Sequence, residues 1–166
     1  MRSLIKLESL EQMLIREGLK YFYPKSTKLI RGKDGLYTEV KAIIPPYVFI
    51  YSQYEQIRNF KQKKDSISFI PTLGRTEHTT MKVSNREMED FIRVVSQMQE
   101  KTHIYQAGEI EIPKGKRIRI CGGVLDGVEG TLVKIKGIRD KRLVVSIPGI
   151  MFASTPIEKT FIQILD

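Results

Sequence analysis

Cysteine is nearly absent: 166 residues hold one, Cys121. A single thiol excludes an internal disulfide and any multi-cysteine metal site. The two histidines, His78 and His103, stand far apart, with no HxxxH or HxH spacing, so a histidine metal centre is not expected. No apolar run approaches the roughly 18 residues that a membrane helix needs. The opening "MRSLIKLESLEQML" places Glu8 and Glu11 where a signal peptide requires an apolar core. These absences predict a cytoplasmic protein with no cofactor, no metal and no membrane partner. An enzyme is not expected either, because no nucleophile, base or metal set stands out. Cys121 falls at a strand end and reads as a packed thiol.

Negative charge is also in short supply. Lys and Arg number 28 against 19 Asp and Glu, which leaves a net charge of +9. A surplus of this size favours a polyanionic partner, because cationic side chains release condensed counterions from phosphates. The densest clusters are "RNFKQKK", Arg58 to Lys64, and "PKGKRIRI", Pro113 to Ile120. In "KRIRI" basic and apolar residues alternate, which predicts a strand with its cations on one face.

The first part of the chain mixes helices and strands. Leu7, Leu10, Met13 and Leu14 recur at helical spacing, and Gly18 stands where a glycine would end that helix. "LKYFYP" reads as a strand, "STKLIRGKDGLYTEVKAII" as two strands around a "GKDG" turn, and "PPYVFIY" as a fourth. Ser52 with Glu55 and Ser84 with Glu87 read as capping boxes opening two helices, with the strand "SISFIP" between them. Met88, Phe91, Ile92, Val95 and Met98 form an apolar stripe along the second helix. The expectation is an α+β domain over residues 1–101, an antiparallel sheet flanked by helices.

After Lys101 the pattern changes. "THIYQAGEIEIP" has no helical period and predicts a linker or extended segment over 102–112. From 113 to 166 only strands are read: "KRIRI", "GTLVKI", "RLVVSI", "GIMFAST" and "TFIQIL", which predict a small β-barrel. Four glycines, Gly122, Gly123, Gly127 and Gly130, crowd "CGGVLDGVEG" between the first two. They suit a tight corner that needs positive φ and close backbone approach, with Val124, Leu125 and Val128 tucking the loop down. A phosphate loop is the weaker reading, since neither GxGxxG nor a Lys-Ser/Thr pair is present.

"KGKRIRICGGVLDGVEGTLVKI" resembles a KOW motif. "IIPPYVFIY" is similar to the central "FPGYVFV" strand of the NusG amino-terminal domain. "SISFIP" and "VSNREMEDFI" fall where that family has its next strand and its last helix. The resemblance to NusG-like transcription elongation and antitermination factors covers nearly the whole chain. It is strongest to the UpxY-type antiterminators of capsular polysaccharide operons. It implies an NGN-like domain followed by an SH3-like KOW barrel. It implies attachment to the clamp helices of RNA polymerase through Ile44, Pro45, Pro46, Tyr47 and Phe49, with Val48 and Ile50 as the alternate, core-packed positions. Nucleic-acid contact, with the non-template DNA strand or nascent leader RNA, is expected at Arg58, Lys61, Lys63 and Lys64, and at Lys116, Arg117 and Arg119. Pro148 stands where the general factor carries an aromatic, which argues against contact with Rho or a ribosomal protein. A general NusG factor and a ribosome-associated or RNA-binding KOW protein are the alternatives.

Overall fold

The computed structural model describes residues 2–3, 7–32, 35–42, 47–63, 67–72, 79–97, 101–109, 111–157 and 161–165. Its elements begin with β1 (Arg2–Ser3), α1 (Leu7–Arg16), β2 (Lys20–Phe22), β3 (Lys25–Gly32), β4 (Gly35–Ala42) and β5 (Phe49–Tyr51). Then come α2 (Tyr54–Gln62), β6 (Ile67–Ser68), α3 (Asn85–Gln97) and β7 (His103–Gln106). The chain ends with β8 (Lys116–Cys121), β9 (Glu129–Val133), β10 (Arg142–Ile147), β11 (Met151–Pro156) and β12 (Phe161–Ile164). The fold is mixed, with three helices and antiparallel sheets among the described residues. Two compact units divide the chain, Met1–Ser26 with Thr38–Lys82, and Thr27–Tyr37 with Val83–Asp166. β3 and β4 pair as a two-stranded sheet of their own.

In the first unit α1 buries Leu10 and Leu14, four residues apart on one face. Its end is a Schellman motif. Gly18 takes φ 64°. Its N–H donates to the Ile15 carbonyl, and the Leu19 N–H donates to the Leu14 carbonyl, both at 3.0 Å. β2 then pairs antiparallel with β5, and β1 with β6. The core joins Leu10 and Leu14 to Tyr23, Val48, Phe60 and Ile67. Burial with no hydrogen-bond partner among the described residues leaves the Tyr23 hydroxyl raised to about 12, desolvation first and the Glu11 charge second.

The expected capping box at Ser52 does not form. Gln53 is the N-cap, in extended conformation and without a side-chain cap bond, and α2 starts one residue late for the box. The Ser52 hydroxyl instead donates to the Gln56 side chain. The second box does form. Ser84 Oγ donates to Glu87 Oε2 at 2.7 Å, and the Glu87 N–H returns to Ser84 Oγ at 3.3 Å.

The second unit holds a six-stranded antiparallel sheet in the order β12-β8-β9-β10-β11-β7. All five strands expected after residue 112 are present. Among the described residues the sheet is not a closed barrel. Closure would require the outer strands to pair. The free side of β11 is taken by β7, and β12 lies at the far edge on β8. β7 occupies His103–Gln106 of the segment expected to be a linker, and that part is extended and paired with β11, with a turn following at 107–109. α3 packs on β10 and β11 and buries Phe91, Val94 and Val95. α3 thus belongs with the sheet it packs on, in the unit made of Thr27–Tyr37 and Val83–Asp166. Of the expected stripe, Met88 and Ile92 are half-buried, Val94 joins it, and Met98 lies outside the described residues.

Arg142 is a buried cation in this unit. Its Nε donates to Ser154 Oγ at 3.0 Å, and its Nη2 donates to the carbonyls of Ser154 and Lys101, each at 2.7 Å. Desolvation pulls its pKa down. The three bonds tie β10, β11 and the approach to β7 together.

Candidate attachment and nucleic-acid surfaces

β5 and the residues before it carry the apolar motif of the first unit. Val48 is buried and Ile50 packs on the same core. Strand alternation sends Tyr47, Phe49 and Tyr51 to the other face. There Phe49 is paired with Phe22 and Tyr51 with Lys20. Tyr47 and Phe49 are half-buried, while Tyr51 is 66% exposed. Ile44, Pro45 and Pro46 lie outside the described residues. Within the described part of the stretch, Val48 and Ile50 are the core positions that alternation requires.

α2 places Tyr54, Arg58 and Lys61 along one stripe, at i, i+4 and i+7. The Tyr54 ring stacks on Phe69 with centroids 6.0 Å apart. The cations expected here are not equally open. Arg58 lies 3.7 Å from Glu55, and Lys63 reaches Glu17 at 3.2 Å. Lys61 is half-buried. Lys64 lies outside the described residues.

In the second unit the glycine corner is built in two ways. Gly122, Gly123 and Gly127 adopt φ of 92°, 72° and 80°. Gly130 has no such angle. A Cβ on Gly130 would overlap the Val144 carbonyl oxygen and a Leu143 methyl, so this glycine permits close strand pairing. Leu125 and Val128 are buried as expected, whereas Val124 is 61% exposed. Cys121 is exposed, which corrects its reading as a packed thiol. The loop is held from α3: Arg93 Nη1 donates to the Asp126 carbonyl at 2.7 Å, and its Nη2 to the Val124 carbonyl at 3.2 Å.

Beside that loop three guanidiniums converge on one carboxylate. Glu129 receives Arg119 Nη2 at 2.6 Å, Arg86 Nη2 at 2.7 Å and Arg117 Nη2 at 3.3 Å. Its own N–H donates to Asp90 Oδ2 at 3.3 Å. The hydrogen bond from Arg119 holds the Glu129 carboxyl below its ordinary range, against burial, with the charges of Arg86, Arg119 and Arg117 adding to the effect. Burial pushes Asp90 up, and the Glu129 N–H, Arg86 and Arg93 pull against that. Lys116 does not join this cluster. It pairs with Leu132 and shares strand parity with the buried Ile118 and Ile120, so only Arg117 and Arg119 of the three expected cations share a face.

Nothing in the sequence marks Glu129, Arg86 or Phe161 as part of a site. The alternation in "TFIQIL" is visible there, but its strand partner is not. Against known proteins, no protein-family model matches the chain and no curated protein matches it. Among the described residues no helix is long and apolar enough to cross a membrane, and no group of three His, Cys, Asp or Glu could hold a metal ion.

Proposed function

We propose that the chain is an operon-specific transcription antitermination regulator of the NusG-like type, attached to RNA polymerase through its first unit. The observation that carries this reading is the "IIPPYVFIY" stretch. Its strand buries Val48 and turns Tyr47, Phe49 and Tyr51 to the opposite face, an apolar aromatic surface suited to gripping helices. In this reading the first unit is NGN-like, and β8, the glycine corner and β9 form a KOW unit. The clamp helices of the polymerase are the partner. The cations of α2 approach the non-template strand, with Arg58 and Lys63 exchanging carboxylates for phosphates. No chemical turnover is involved. The protein favours the closed, pause-resistant state of polymerase by binding it better than the opened one. Capsular polysaccharide operons are the proposed targets, and a general elongation factor is the nearest alternative.

The test is a pull-down with isolated clamp helices in the absence of nucleic acid. The double substitution Ile44→Lys with Tyr47→Asp is expected to abolish retention while circular dichroism stays native. Full retention by that folded variant refutes the attachment site. A second reading, an RNA-binding protein that acts without polymerase, is favoured by the arginine cluster at Glu129. It predicts salt-sensitive RNA binding and no retention by the clamp helices.

A further inference from the structure

The strand register collects an unusual set of side chains on one sheet face. Gln163 of β12 pairs with Arg119 of β8, and Phe161 pairs with Cys121. Arg119 pairs in turn with Glu129 of β9, and Arg117 with Thr131. Paired residues share a face, so Phe161, Gln163, Arg117, Arg119 and Glu129 all stand on the same side. Phe161 is one register step from Arg119 and is 85% exposed, the most exposed large apolar side chain among the described residues. α3 adds Arg86 through its bond to Glu129.

The arrangement is charged and ordered. Three guanidiniums meet one carboxylate, which leaves a surplus of two positive charges. Arg119 is almost fully engaged: Nε and Nη2 donate to Glu129 Oε1 at 3.0 and 2.6 Å, and Nη1 donates to Gln163 Oε1 at 3.3 Å. Arg86 and Arg117 each give one nitrogen to Glu129 and are 60% and 66% exposed. A guanidinium carries five N–H donors, so both keep several for an outside acceptor. Glu129 fixes their positions without neutralising them.

We propose that this face is a binding site for unpaired nucleotides of a single-stranded nucleic acid. Phe161 is the stacking platform for a base, and Arg86 and Arg117 hold the adjoining phosphates. The combination of an exposed ring with preorganised guanidiniums distinguishes this from a diffuse basic patch. A ring stacks on any splayed base but cannot reach one inside a duplex, so single strands are preferred over double strands. This site refines the expected nucleic-acid contact of the second unit and does not rest on attachment to polymerase.

The chain has no tryptophan, so Phe161→Trp installs a single indole at the platform, which can be excited apart from the tyrosines. The full-length variant is titrated with oligouridylate and with oligothymidylate of about eight nucleotides, with a duplex of equal length, and with inorganic phosphate. Quenching by a single strand, and little by duplex or phosphate, is the expected result. Quenching by the RNA only, the DNA only, or both supports the site and assigns the sugar. By anisotropy, Phe161→Ala should weaken single-strand binding roughly 5- to 100-fold and leave its salt dependence unchanged. Arg117→Ala should reduce the salt slope by about one. Unquenched indole emission from the Phe161→Trp protein with oligonucleotide bound, or unaltered affinity of Phe161→Ala, overturns the proposal, as does failure of the wild-type chain to bind either strand. None of these outcomes affects the clamp-helix pull-down, so the two readings fail separately.

Discussion

At the scale of single residues, Glu129 is the most consequential side chain in the second unit. Its folded pKa lies below the ordinary 4.5, so the stability it contributes is present above that value and is lost as pH falls through the folded pKa. Asp90 has the opposite sign. Its pKa is raised, so protonating it as pH falls favours the folded state and cannot cause acid unfolding. Glu129→Gln is therefore expected to lower the melting temperature at neutral pH and to flatten its decline below pH 4.5. Thermal melts from pH 7 to pH 3 check this, and equal acid slopes in both proteins would refute it. None of this was legible in the sequence. Glu129 meets its arginines across 10, 12 and 43 residues: strand pairing brings Arg119 and Arg117 to it, and α3 brings Arg86. The arginines of "KRIRI" were visible as charge; the carboxylate that orders them was not.

Elements were far more legible, because their signals are local. Gly18 ended α1 as a left-handed residue must, and Ser84 with Glu87 opened α3 by bonds within four residues. Ser52 failed for an equally local reason: Gln53 took the extended cap position, leaving the box one residue out of phase. The glycine corner was legible in kind but not residue by residue. Both uses of glycine occur, and they respond differently to substitution. Gly127 has φ 80° and open space where a Cβ would go. Asn tolerates that conformation, so Gly127→Asn should cost no more than about 1 kcal/mol. Gly130 has no room for a Cβ against the β10 backbone. Gly130→Ala should cost about 2–3 kcal/mol or more, because strand separation must rise. Urea denaturation of both variants measures the difference, and a Gly130→Ala protein as stable as Gly127→Asn would sink the assignment.

At the scale of the whole molecule, the change of sequence pattern and the limits of the compact units fall at different places. The change of pattern after Lys101 is real, but a change of pattern is not a boundary. An amphipathic helix can bury its stripe on the sheet before it or on the sheet after it, and the stripe itself does not say which. Phe91, Val94 and Val95 are buried where α3 packs on β10 and β11, and the next segment supplies β7 to the same sheet. Arg142 adds a bond to the Lys101 carbonyl, ahead of β7. Cutting at 102 thus strips three buried side chains and a hydrogen bond from the sheet. At about 1.5–3 kcal/mol for each large apolar side chain, the loss is roughly 4–9 kcal/mol. That is comparable to the entire stability of a small domain. A fragment of residues 83–166, which keeps α3 and the whole six-stranded sheet though not Thr27–Tyr37, is expected to melt cooperatively. A fragment of residues 102–166 should bind a hydrophobic dye and lose its cooperative transition. Circular dichroism melts of the two, with dye binding alongside, decide the matter, since a shorter fragment that melts like the longer one would return α3 to the first unit.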